Sequence, residues 1–230
     1  MTDEIERAVG HIAHVSLRRL PVLAMIEDAV KPFLPAGADE RLRAAVEADA
    51  REAFVRLQQR VDVLEGLLGK DGHRLDDLGA KRTVAVAQEV AKGVAEAYGE
   101  PKIDAMLNAG ARQFDPRMGP QEIRKYWLDR VTQLLDIEVR VLLLLKEHQP
   151  IMYFEEADRM LWGEQRQAAD LPDEDRVALG TVLNQLVSRG DLVSTTSTTG
   201  SVDQETVFSV MLSGQGRAVV RFIEPIAPQE

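Results

Sequence analysis

Between Gly37 and Gly66 the chain holds neither glycine nor proline. A stretch of that length, rich in Ala, Arg, Glu and Leu, has one regular fate, the α-helix. Phe54, Leu57, Val61, Leu64 and Leu68 step by three and four along it, so one apolar seam is expected on a helix over 40–68. Such a seam predicts a core helix, set either in an antiparallel hairpin within the chain or against a second copy. Upstream, "KPFLPAGADE" reads as a loop that ends on Asp39 as helix N-cap. Before it, Ile5, Val9, Ile12, Val15, Leu17 and Leu20 recur at helical spacing, which predicts a helix over 4–33 broken near Pro21.

The helical pattern continues after "GKDGHRLDDLG". Residues 80–98 form an Ala- and Val-rich segment that stops at Gly99 and Pro101, and its small side chains, among them Ala85, Ala87, Ala91, Gly93 and Ala95, let a neighbouring helix approach closely. A shorter helix is expected over 102–114, ended by "DPRMGP". "QEIRKYWLDRVTQLL" reads as another, with Ile123, Trp127, Val131 and Leu134 on its buried face. Its Arg124, Lys125 and Arg130 then fall on other faces and make a locally basic surface, onto which an acidic carboxy-terminal half could dock.

Composition supports a helical reading. Aromatic residues are only 5% of the 230, so Ala, Leu and Val must fill the core. The net charge of −10 opposes phosphate and anionic membranes at long range. Without cysteine there is no disulfide, thiolate nucleophile or cysteine zinc site. The acidic start "MTDEIERAVGHIAH" does not read as a signal peptide, and "VRVLLLLKEH" is too short to span a bilayer; a cytoplasmic protein is expected.

After Asp136 the punctuation quickens. "IEVRVLLLLKEH" is a compact apolar helix, "PIMYF" a short strand and "EEADRMLWGE" a small helix. "LPDEDRVALGTVLNQLVSRG" opens with acids, as a helix N-terminus favours, and closes at Gly190. "LVSTT" and "TVFSVML" are strands joined around Gly200, and "GQGRAVVRFI" is a last helix. That order is the one found in winged helices.

The stretch "LNQLVSRGDLVSTT…VFSVMLSGQGRAVVRFI" resembles MarR-type winged-helix regulators. Leu186, Arg189, Gly190 and Leu192 match the end of their recognition helix. Leu212, Ser213 and Gly216 match the opening of their terminal helix, with serine where threonine is usual. The resemblance covers about the last 90 residues. It implies a recognition-helix surface of Arg176, Thr181, Asn184, Gln185, Ser188 and Arg189. The middle of the chain, 102–147, resembles Abi-alpha-type proteins of bacterial abortive phage infection. Leu107, Asn108, Ala109, Asp115 and Pro116 echo one part of that pattern, and Trp127, Leu134, Glu138, Leu142 and Leu145 the other. That likeness implies a defence setting and transfers no catalytic residue.

Charge argues against the nucleic-acid use of a winged helix. Between Leu192 and Leu212 there is no Lys or Arg, only Asp203 and Glu205, although this is where a wing normally carries a basic residue. From Asp136 to Glu224 eight cationic side chains face fifteen anionic ones, a balance of −7. Tight duplex binding draws on about 6–10 phosphate contacts. The reading helix offers Arg176 and Arg189, with Asp173, Glu174 and Asp175 at the end that normally meets base edges.

Chemistry is sparse. His11 and His14 lie three apart with no third ligand and no HExxH; His73 falls in a turn and His148 at a helix end. Adjacent Glu155 and Glu156 diverge on a helix. "GSVDQE" and "LSGQGR" lack the lysine of a P-loop, and Ser201 and Ser213 have no base in sequence reach. Trp127 and Trp162 read as core anchors. No catalytic, cofactor or metal residue is expected.

The expectation is therefore a mainly α protein: a helical region over 1–135, a winged-helix domain over 136–224 and a tail over 225–230. It implies a non-enzymatic interaction protein that contacts another protein or itself, in a phage-defence setting. The alternative is a dimeric winged-helix transcriptional regulator that binds DNA.

Overall fold

The structure, a computed structural model, describes residues 40–147, 151–152, 173–197 and 207–226. The expected helix over 4–33, the Asp39 cap, the helix after Phe154, the loop around Gly200, and His11, His14, His148, Glu155, Glu156, Trp162 and Ser201 all lie outside them. The described chain is mainly helical, with one small antiparallel sheet. It divides into two compact units. The first ends at Leu134 and takes in the chain again from Phe222; the second is Leu135–Arg221.

In the first unit, helix α1 (Glu40–Lys70) is 31 residues long, about 46 Å at 1.5 Å per residue. Ala53, Leu57, Val61, Leu64 and Leu68 are buried along it. The anticipated seam holds for four of its five members, with Ala53 in place of the half-exposed Phe54. The chain's own helices α2 (Gly79–Ala95) and α3 (Glu100–Ala111) cover it, so it is an intrachain core. Gly72, at φ +73°, ends α1: its N–H donates to Gly69 and that of His73 to Leu68, the double bond of a Schellman cap.

Helix α3 is the hub. Pro101 sits in its first turn, where no N–H is needed, and Ala105 to Ala111 are all buried. The expected close approach of α2 is real. A Cβ on Gly93 would overlap the Met106 side chain, and one on Gly110 would overlap Val90. Two 3₁₀ turns follow, Arg112–Phe114 and Pro116–Met118; the Asp115 carboxylate caps the second by accepting from the Arg117 N–H at 3.0 Å.

Helix α4 (Gln121–Thr132) corrects the sequence reading. Its buried side chains are Arg124, Leu128 and Val131, whereas Ile123 is 49% exposed. The apolar-periodicity argument placed Arg124 outside because a bare buried guanidinium is costly. Here partners are waiting for it inside.

The second unit contains α5 (Asp136–Glu147), β1 (Ile151–Met152), α6 (Asp173–Ser188), β2 (Leu192–Ser197) and β3 (Val207–Leu212). Helix α7 (Gly214–Ile223) follows and crosses the division. The sheet order is β1-β3-β2, all antiparallel, with Leu192 opposite Leu212 and Ile151 opposite Val210. Val139, Leu142, Leu145, Leu183, Leu186, Leu192, Leu212 and Val219 are buried.

The expected division at 135/136 falls one residue earlier. The expected end of the second domain at Glu224 is also corrected, since residues from Phe222 belong with the first unit. There Asn108 Nδ2 donates to the Ile223 carbonyl at 2.9 Å, Arg112 pairs with Glu224, and Phe222 lies 6.2 Å from the Trp127 ring.

Candidate functional site

Helix α6 is the element on which a recognition surface was expected. Its apolar side, Val182, Leu183 and Leu186, is buried. Thr181, Asn184, Gln185 and Ser188 are exposed, as their three- and four-residue spacing requires. They form a neutral polar strip, with the Ser188 hydroxyl turned back to the Gln185 carbonyl at 2.9 Å. The backbone of Arg176 lies in the first turn of the helix, beside Asp173 and Glu174.

Arg189 does not extend that strip. It is ion-paired with Glu138, whose side chain is fully buried and whose other oxygen accepts the Leu135 N–H at 2.8 Å. The guanidinium thus neutralises a buried acid of its own unit. A cation so held is poorly placed to meet phosphate, because leaving would strand a desolvated carboxylate.

The residues that carried the regulator resemblance meet around one turn. Gly190, at φ +79°, ends α6, with its N–H donating to Val187 and that of Asp191 to Leu186, again a Schellman cap. The Ser213 hydroxyl donates to the Gly190 carbonyl at 2.5 Å and accepts the Gly216 N–H at 2.9 Å, so it caps α7. Gln215 Nε2 reaches the Arg189 carbonyl at 3.1 Å and Asp191 Oδ1 at 3.3 Å. Gly216 has no room for a side chain, since a Cβ there would overlap the Asp191 carbonyl oxygen. These matched residues are therefore a structural clasp. Serine serves where threonine was expected because the hydroxyl is what the clasp uses.

The expected basic surface of Arg124, Lys125 and Arg130 is not assembled. Arg124 is 1% exposed: Nη1 donates to the Asp115 carbonyl at 2.8 Å and Nη2 pairs with Asp76. Lys125 is exposed but pairs with Asp129 at 2.6 Å, one helical turn on. Arg130 is half-buried.

Arg124 belongs to a buried polar frame that the sequence did not reveal. Lys102, 3% exposed, donates to the carbonyls of Val131 and Thr132 at the end of α4. Gln113 Nε2 donates to the carbonyls of Ala109 and Arg124 at 3.3 and 2.8 Å. Arg56 and Arg60 fasten α1 to Glu100, Asp104 and Asn108 on α3. The hydrogen bond from Arg56 holds the Glu100 carboxyl below the ordinary glutamate range, and the bond to Asp115 raises the already high pKa of Arg117.

Among the described residues no three His, Cys, Asp or Glu side chains gather to hold a metal, and His73 is exposed. No described helix is long and apolar enough to cross a membrane. The architecture thus defines a mainly helical protein with a small antiparallel sheet. Among known proteins, no family model, curated protein or solved structure matches the chain.

Proposed function

We propose that this chain is a non-enzymatic interaction protein whose second unit, read as a winged helix, uses α6 to contact another protein. The sheet order β1-β3-β2 supports the winged-helix reading, because that domain pairs its first strand with the outgoing arm of the wing. The observation that carries the choice of partner is the pairing of Arg189 with a buried acid. Arg189 is spent on Glu138, and among the described side chains of α6 the exposed face is Thr181, Asn184, Gln185 and Ser188, which are neutral. Neutral amides and hydroxyls suit the edge of a protein interface, whereas duplex DNA draws on several cations. The setting proposed, a bacterial phage-defence system, rests on the resemblance of 102–147 alone.

Fluorescence anisotropy of a random duplex at low salt should show no saturable change below about micromolar protein. A photocrosslinking amino acid at Asn184 should trap a protein adduct in the native host, while the same group at exposed Val55 on α1 should not. Saturable duplex binding with a steep salt slope, weakened by Asn184→Ala, would overturn the reading in favour of a DNA-binding regulator.

A further inference from the structure

The helical unit has a cleft of about 500 Å³ between α2 and α4, within the range of small-molecule sites. Leu78, Ala85, Val86 and Leu128 give it carbon walls. Gln113 lines it too, at 4% exposure. Both neighbours of the Gln113 amide nitrogen are carbonyl oxygens, which fixes the NH₂ group toward them. The amide oxygen is then turned away from both, and among the described residues no donor reaches it. A held acceptor in a largely apolar cleft calls for a donor from outside.

The rim states the sign of that donor. Glu89 and Glu122 line the cleft, and no described cation pairs with either. Lys125, on the same rim, is already neutralised by Asp129. Arg82 stands two helical turns before Glu89 on α2, about 10 Å away at 1.5 Å per residue. From these features we infer that the cleft binds a small organic monocation: an apolar body against Ala85, Val86 and Leu128, with an ammonium N–H given to Gln113 Oε1 and drawn by Glu89 and Glu122. Arg82, also on the lining, disfavours a second positive charge, which separates such a ligand from a diamine. The site lies in the first unit and does not depend on the proposed use of α6.

Phenethylammonium is the probe, with hydrocinnamate as its anionic near-isostere and putrescine as the diamine. Each is titrated into the full-length, isotope-labelled protein and followed by amide chemical shifts. The expected result is saturable shifts for phenethylammonium, clustered on 78–89, 113 and 121–129, with little response to the other two. The double variant Glu89→Gln, Glu122→Gln alters only rim side chains and should weaken binding about fivefold. Ala85→Trp, at an exposed position, should fill the cleft and abolish binding with the fold retained. Absence of shifts at millimolar probe, equal binding of hydrocinnamate, or binding indifferent to Ala85→Trp would each overturn the inference.

Discussion

The two units solve the same problem with side chains of different reach. A helix end leaves backbone groups without partners: carbonyls at its C-terminus, N–H groups at its N-terminus. The helical unit sends buried side-chain donors across its core to backbone carbonyls. Lys102 serves Val131 and Thr132, Arg124 serves Asp115, Gln113 serves Ala109 and Arg124, and Asn108 serves Ile223. The second unit closes its helix ends over short spans: Glu138 accepts from Leu135 and the Ser213 hydroxyl from Gly216, while Ser213 and Gln215 donate to the Gly190 and Arg189 carbonyls. Long cationic side chains can cross a helical core and still satisfy an oxygen at the far side. A small sheet with a tight turn has no such span to cross, so it relies on short side chains and on glycine.

That contrast can be broken most sharply at Arg124. Arg124→Leu should cost about 3 kcal/mol in urea unfolding of the whole chain, since it removes the buried bond to the Asp115 carbonyl and unpairs Asp76. Lys125→Leu next door, an exposed i,i+4 pair, should stay within about 0.5 kcal/mol. Similar values for the two would mean the buried frame is not what holds the helical unit.

Glycine gives the next largest effect. Gly216→Ala drives a methyl into a backbone oxygen and should cost about 2 kcal/mol by thermal unfolding. Gly93→Ala meets only the flexible end of Met106 and should cost under about 1 kcal/mol. A reversed order would show that the clasp yields more easily than the helix packing.

Ser213→Ala should lose about 1 kcal/mol as a missing cap, while Ser213→Thr should be nearly neutral. The smallest effect is expected at Glu100. Its folded-state carboxyl is depressed by Arg56, so the pairing stabilises above the unfolded-state pKa and is lost as pH falls through the folded-state value. Glu100→Gln should therefore flatten the acid side of a stability–pH curve, lowering its plateau above the unfolded-state pKa slightly and meeting the parent curve at low pH.

Local pattern made much of the fold legible. The breaker-free run gave α1, "GQGRAVVRFI" gave α7 to the residue, and Gly190 was placed as a helix stop that its positive φ now explains. The change in punctuation after Asp136 lies beside the division between Leu134 and Leu135. What escaped was non-local. Arg124 pairs with Asp76, 48 residues away, and no helical periodicity reports a partner at that distance, so the buried face of α4 was drawn through Ile123 instead. The exposure of Thr181, Asn184, Gln185 and Ser188 follows from helix phase, which the sequence carries. Helix phase misjudged Arg189, whose acid lies on another helix. Gln113 looked like any polar residue near a helix end, and only the fold shows which of its two amide atoms is already used.

Lys102 carries one more consequence. Its ammonium group is enclosed and bonded to the last carbonyls of α4, so acylating reagents that modify Lys125 at once should find Lys102 only when the helical unit opens. Mass-resolved acylation at that single amine would read the unit's opening frequency under native conditions, a clock already wound into the protein and needing no added label.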